Sequence, residues 1–123
     1  MKKKILVVDD EFTIRELLKF KLSLQGFEVV TAKNGEEFEK SALTQKPDLI
    51  ILDIWLKNKI GTDVYHHLLD TGFDPEVPVV FITALIENQP AHPYTSGGKK
   101  YALYGKPFNF DELLKDINRL VCA

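Results

Sequence analysis

The sequence has few of the features that mark secreted, membrane or nucleic-acid-binding proteins. Its 123 residues include one cysteine, Cys122, so no internal disulfide can form and a reducing compartment is expected. No apolar run approaches the roughly 20 residues of a membrane span, and the start shows no signal-peptide pattern. The net charge of −2 lacks the basic excess of nucleic-acid binders. These absences predict a cytoplasmic protein without direct membrane or nucleic-acid contacts.

The length and the even composition of the chain favour one domain, which we place over residues 1–123. There is no repeat, no low-complexity tract and no linker that would divide it. A domain of this size can bury roughly two thirds of its unfolded surface, which is enough for one hydrophobic core.

Five short apolar runs alternate with helical patterns along the chain. The first and third each contain four consecutive apolar residues followed by an acid, and such runs are typical of strands buried on both faces. The predicted strands cover residues 4–9, 27–32, 47–53, 78–83 and 101–105. Because strands and helices alternate, the order predicts a parallel sheet with helices on both faces.

The predicted helices have recognisable starts and stops. Asn34 and Asn109 each precede a glutamate by three residues, the pattern of a capping box at a helix N-terminus. Gly26 is expected to end the first helix and Gly72 to follow the third, which we predict over residues 62–70. Residues 54–61 are predicted to form a loop, with Gly61 at a turn that requires a positive φ.

One connection does not fit the alternating order. A crossover helix is expected between the fourth and fifth strands, but residues 87–98 contain two prolines and two glycines. An interior proline costs a helix about 3 kcal/mol. We therefore predict a mostly irregular connection, with at most a short helical turn before Pro90.

Polar residues that could carry chemistry follow several of the predicted strands. Asp9, Asp10, Asp53, Thr83 and Lys106 all stand at carboxyl ends, which meet at one edge of a parallel sheet. Neighbouring carboxylates repel unless a cation joins them, and Mg²⁺ prefers such oxygen ligands. With a lysine and a hydroxyl nearby, the set is typical of a site for a phosphoryl group, and a carboxylate can itself be the nucleophile.

The strand-end motifs resemble those of response-regulator receiver domains over essentially the whole chain. The resemblance is carried by residues 7–10, residues 48–53, Gly61, residues 83–84 and residues 106–108. It implies a flavodoxin-like, doubly wound, five-stranded parallel sheet of order 2-1-3-4-5. The fourth crossover helix of that fold would be disrupted or missing here.

The resemblance also implies roles for individual residues. Asp53 would be the phosphoacceptor, Asp10 would bind Mg²⁺ directly and Asp9 mainly through water. The backbone carbonyl of Trp55 would be a further metal ligand.

The remaining implied roles concern the phosphoryl group and the response to it. Thr83, the backbone of Ala84 and Lys106 would hold the phosphoryl oxygens, and Thr83 would shift on phosphorylation. The peptide bond between Lys106 and Pro107 would be cis. The family usually has an aromatic residue where this chain has Leu103, so Tyr101 and Tyr104 are the possible switch aromatics.

The resemblance implies a phosphoacceptor signalling protein rather than a turnover enzyme. A histidine kinase or a histidine phosphotransfer protein would donate the phosphoryl group, and phosphorylation would switch binding to a further protein. The alternative is an unphosphorylated adaptor that binds partners through the altered face around residues 85–104. An aspartyl phosphohydrolase is less favoured, since such enzymes typically carry an acid where Trp55 stands.

Overall fold

The computed structural model describes residues 2–84, 94–96 and 99–121. The described strands are β1 (Lys4–Val8), β2 (Glu28–Ala32), β3 (Leu49–Asp53), β4 (Trp55–Leu56), β5 (Lys59–Ile60), β6 (Val79–Thr83), β7 (Tyr94–Ser96) and β8 (Lys99–Gly105). The described helices are α1 (Phe12–Leu24), α2 (Gly35–Gln45), α3 (Gly61–Asp70) and α4 (Phe110–Val121). Within these residues, no helix has the length and apolarity needed to cross a bilayer.

The main sheet has the strand order β2-β1-β3-β6-β8-β7. The first five of these strands are parallel, and β7 pairs with β8 in the antiparallel direction at the edge. The predicted five-stranded parallel sheet and its 2-1-3-4-5 order are therefore confirmed. This order places β1, β3 and β6 side by side, so their carboxyl ends are neighbours.

Two apolar layers cover the two faces of the sheet. All five residues of β3 are buried, which explains why its first four residues are apolar. Alternate strand residues point to opposite faces. Ile51 and Val80 pack with α1 and α4 on one face, whereas Ile50 and Leu52 pack with α2 and α3 on the other.

The predicted helix ends agree with the structure. The Asn34 side chain accepts a hydrogen bond from the Glu37 N–H at 2.8 Å, and Asn109 accepts one from Glu112 at 3.1 Å. Each side chain thereby satisfies a backbone N–H that has no partner within its helix. Gly26 and Gly72, after α1 and α3, have φ values of +93° and +102°.

The predicted loop over residues 54–61 is wrong in its details. The chain forms a short antiparallel hairpin there, in which β4 pairs with β5. Gly61 is not among the described glycines with positive φ. It begins α3, and a Cβ on it would lie 2.2 Å from the carbonyl oxygen of Asp53. Glycine is required here because the backbone of α3 approaches β3 closely.

The predicted irregular connection lies partly outside the described residues, since residues 85–93 and 97–98 are not among them. The described residues between β6 and β8 contain no helix. Residues 94–96 form β7, so the irregular structure predicted for them is wrong. A Gly-Gly pair between two short polar and aromatic runs is a hairpin signal that the prediction overlooked.

Candidate phosphoacceptor site

Three carboxylates meet at the carboxyl edge of the sheet. Asp9 and Asp10 directly follow β1, and Asp53 is the last residue of the adjacent strand β3. Each offers an oxygen atom, and these three oxygens lie within 4.8 Å of one another. The structure thus brings together the acids that were predicted to cluster.

Asp9 is fully buried beneath this cluster. Its Oδ1 accepts a hydrogen bond from the Glu11 N–H at 2.8 Å. Its Oδ2 is also buried and lies 2.8 Å from Lys106 Nζ, but accepts no well-aligned hydrogen bond. Burial raises the pKa of Asp9 to about 6, because desolvation outweighs the effects of Lys106 and of the hydrogen bond from Glu11.

Asp53 is 3% exposed and has a defined partner for each carboxylate oxygen. Oδ1 accepts a hydrogen bond from the Trp55 N–H at 3.1 Å, and Oδ2 accepts one from Lys106 Nζ at 3.1 Å. Burial raises the pKa of Asp53, and the charge of Asp10 adds to the rise. The charged carboxylate is therefore disfavoured in this pocket, although Lys106 counteracts part of the cost.

Lys106 follows β8 and connects the acids. Its Nζ lies 2.8 Å from Asp9, 3.1 Å from Asp53 and 3.2 Å from Glu11. Its backbone N–H donates a hydrogen bond to Thr83, and its peptide bond to Pro107 is cis, as predicted. Burial alone lowers the pKa of Lys106, but Asp9 and Asp53 outweigh it and raise the pKa overall.

The remaining predicted phosphoryl-binding residues occupy the next strand. Thr83 is the last residue of β6 and is 1% exposed, and the following Ala84 is exposed. Because β6 pairs with β3, both residues lie at the same sheet edge as Asp53. Trp55 is 47% exposed at the start of β4, and the metal-ligand role of its carbonyl stays a prediction.

Of the two candidate switch aromatics, the structure describes the side chain of Tyr104 but not that of Tyr101. Tyr104 is 3% exposed and packs on the α1 and α4 face of the sheet. Its hydroxyl contacts Asp116 and lies 3.0 Å from the carbonyl oxygen of Glu112. Burial, with the bond to Asp116, raises the pKa of Tyr104, so the phenol stays protonated as a donor. The side chain of Tyr101 lies outside the described residues.

Sequence reasoning missed two residues that border the site. Glu11 contacts Lys106, and the Arg15 guanidinium donates a hydrogen bond to the Asp9 carbonyl at 2.8 Å. The available signals were the third consecutive acid after β1 and a basic residue one helical turn later.

The chemistry of the cluster fits a hard divalent cation. The donors are carboxylate oxygens, the ligand type that Mg²⁺ prefers. Asp9 Oδ2 is buried without a well-aligned hydrogen bond, and the pKa values of Asp9 and Asp53 are raised. A divalent cation would relieve both features, because it favours the charged carboxylates.

Comparison with known proteins finds similar sequences among bacterial transcriptional regulatory proteins. The chain is 45% identical over 84 residues to the alkaline phosphatase synthesis transcriptional regulatory protein PhoP of Bacillus subtilis, covering 68% of this chain and 34% of PhoP. It is 34% identical over 119 residues to the probable transcriptional regulatory protein TcrX of Mycobacterium tuberculosis, covering 95% of this chain and 49% of TcrX. The chain therefore spans only about a third to a half of these relatives.

Solved structures agree with the fold. The response regulator TrrA of Thermotoga maritima, in complex with Mg²⁺-BeF, is 37% identical, with a TM-score of 0.75 and coverage of 96% of this chain and 98% of TrrA. Chemotaxis protein CheY4 of Vibrio cholerae is 26% identical, with a TM-score of 0.79 and coverage of 98% and 99%. The family model described as the response regulator receiver domain matches residues 5–118. The chain therefore belongs to the response-regulator receiver domain family.

Proposed function

We propose that Asp53 accepts a phosphoryl group from a phosphohistidine, and that the modified protein then binds a further protein differently. The observation that carries this proposal is the position of the Asp53 carboxylate. It ends the central strand β3, lies beside two further acids, and contacts the ammonium group of Lys106 at 3.1 Å. Family membership supports the phosphoacceptor role.

The proposed transfer uses Asp53 as the nucleophile. One carboxylate oxygen attacks phosphorus, a P–O bond forms, the P–N bond to the donor histidine breaks, and the leaving imidazole takes up a proton. Lys106 stabilises the charge on the phosphoryl oxygens, and Thr83 with the backbone of Ala84 holds them.

The proposed cofactor is Mg²⁺. Asp9, Asp10, Asp53 and the carbonyl of Trp55 would hold it, with Asp9 acting mainly through water. When bound, the ion supplies further neutralisation of the phosphoryl and carboxylate charges. The Mg²⁺-BeF complex of TrrA supports this choice of ion.

The proposed donors are a histidine kinase or a histidine phosphotransfer protein, and the output is altered binding to another protein. Lys106 is the physical link, because its Nζ contacts Asp53 while its backbone N–H bonds to Thr83. A phosphoryl group on Asp53 would therefore disturb the carboxyl ends of β6 and β8, where Thr83 and Lys106 lie. Tyr101 and Tyr104 stay predicted participants in this response.

Phosphorylation can be tested with a small donor. The protein is incubated with acetyl phosphate and Mg²⁺, and its intact mass is measured beside that of an Asp53→Asn variant. We expect the mass of one phosphoryl group on the parent and none on the variant. An unmodified parent that still binds partners would support the adaptor alternative. Equal modification of both proteins would refute the assignment of Asp53.

A further inference from the structure

A basic cleft lies next to the acidic cluster. It has a volume of about 430 Å³, and Asp10 forms part of its wall, so the cleft is continuous with the carboxylate site. Its other lining residues come from α1, from the loop between β2 and α2, from the start of α2 and from the β4–β5 hairpin. They are Arg15, Lys33, Asn34, Gly35, Glu36, Leu56, Lys57, Asn58 and Lys59.

The charge of this cleft is opposite to that of the neighbouring cluster. Four of its lining side chains are basic and two are acidic. Among the described residues, Lys33, Lys57 and Lys59 form no salt bridge, so their charges are not neutralised by close carboxylates. All three are exposed. The cleft can therefore attract an anion from solution.

The hairpin carries part of this charge and packs against the start of α2. Trp55 pairs with Ile60 and Leu56 with Lys59, and the side chain of Leu56 is 4% exposed. The stem of Lys59 lies over the first residue of α2, because a Cβ built on Gly35 would meet Lys59 Cδ at 2.9 Å. Lys57 stands on the same hairpin, in the turn between β4 and β5.

Electrostatics explains what the cleft would contribute. An incoming phosphoryl dianion meets Asp9, Asp10 and Asp53 at the reaction site, and their charge repels it. A basic surface beside such a site raises the local concentration of an anion and its rate of association. We propose that the basic cleft captures the phosphoryl dianion of a donor before transfer to Asp53, an inference that rests on the proposed function.

The critical variant is Lys57→Gln combined with Lys59→Gln, compared with the parent for phosphorylation by limiting acetyl phosphate. Lys19→Gln is the matched control, because Lys19 is exposed on α1 and does not line the cleft. At low ionic strength we expect the rate of the double variant to fall about three- to tenfold, with no change in the control. The difference should disappear at about 0.5 M salt, where charges are screened over a few ångströms.

A second phosphoryl donor of lower charge tests whether the loss of rate depends on the charge of the donor. Phosphoramidate carries less negative charge than acetyl phosphate near pH 7, so the double variant should lose less of its rate with this donor. An equal loss with both donors, or a loss that persists at high salt, would indicate a changed hairpin rather than anion capture. Either result would overturn the inference.

A binding measurement keeps this inference distinct from the proposed function. Inorganic phosphate is titrated into the metal-free protein while backbone amide resonances are followed by NMR. We expect shifts at Gly35, Asn58 and Lys59 in the parent, and their loss in the double variant. Such shifts in a parent that cannot be phosphorylated would refute the function but retain the anion site. Absent shifts, or shifts without a rate effect, would overturn capture.

Discussion

At the scale of single residues, Asp9 is the clearest example of a group that the fold places at an energetic cost. It is fully buried, and its pKa is raised from 3.8 to about 6 by desolvation. The folded protein therefore binds a proton more tightly at Asp9 than the unfolded chain does. In the absence of metal, this contribution to stability is present at low pH and is lost as pH rises from about 4 to about 6.

An Asp9→Asn variant tests that sign. Asparagine carries no charge, so the variant should not lose this contribution as pH rises. Between pH 4 and pH 7 we expect the unfolding free energy of the parent to fall by about 1–3 kcal/mol relative to that of the variant. Urea unfolding of both proteins in metal-free buffer at several pH values measures this difference. A constant difference across that range would show that the charged carboxylate is not disfavoured.

Gly61 lies at a close contact that no larger residue fits. A Cβ there would lie 2.2 Å from the Asp53 carbonyl oxygen and 3.1 Å from Leu52 Cδ1. We expect Gly61→Ala to lower the unfolding free energy by about 2–4 kcal/mol, because backbone must move. Gly35→Ala is the control, since a Cβ there would meet side-chain atoms, Lys59 Cδ at 2.9 Å and Val64 Cγ2 at 3.2 Å, rather than backbone. Equal losses in the two variants would contradict this interpretation.

The site was more predictable from sequence than its energetics. Strand-end positions were enough to bring Asp9, Asp53 and Lys106 together, because parallel strands end at one edge. The raised pKa values depend on how deeply each carboxylate is buried, which sequence order does not specify. Gly61 was misread because a glycine can serve either a positive φ or a close approach, and the two uses look alike in sequence.

At the scale of secondary-structure elements, length decided what could be predicted. The five parallel strands have at least five residues each, most of them apolar, and this pattern predicted them. Strands β4, β5 and β7 have two or three residues, too few to show a period. Leu17 belongs to the apolar residues of α1, yet it is 43% exposed, whereas Leu18 and Leu22 are fully buried. The helical period shows which residues share a face, but not how deeply each of them is buried.

Helix α4 offers a test of capping. The Asn109 side chain accepts the Glu112 N–H, and this N–H would otherwise lack a partner. We expect Asn109→Ala to cost about 1 kcal/mol of stability and Asn109→Asp to cost less, because aspartate also accepts this bond. Thermal or urea unfolding measures both variants. An alanine variant as stable as the parent would exclude a capping role.

At the scale of the whole molecule, the fold concentrates opposite charges at one sheet edge. Buried carboxylates and Lys106 form a cluster whose charged state needs further positive charge. The apolar layers on both faces hold the strand ends in register and so fix the spacing of these groups. The predicted sheet order was sufficient to predict which residues meet at this edge. The prediction for the connection after β6 stays untested over residues 85–93, which lie outside the described residues.

Linkage between Mg²⁺ and folding tests this view of the molecule. A ligand that binds only the folded state stabilises it by about 2.7 kcal/mol at 100 times its Kd. We expect Mg²⁺ to raise the melting temperature of the parent, and an Asp10→Asn variant to show a much smaller rise. Sodium chloride at matched ionic strength controls for screening. Equal shifts with both salts would exclude a specific ion site.

The most direct measurement of the central claim is the location of the phosphoryl group. After reaction with acetyl phosphate and Mg²⁺, borohydride reduces an aspartyl phosphate to homoserine, and peptide mass spectrometry identifies the altered position. We predict conversion of Asp53 alone. Conversion at Asp9 or Asp10 instead, or none in a folded protein, would contradict the account.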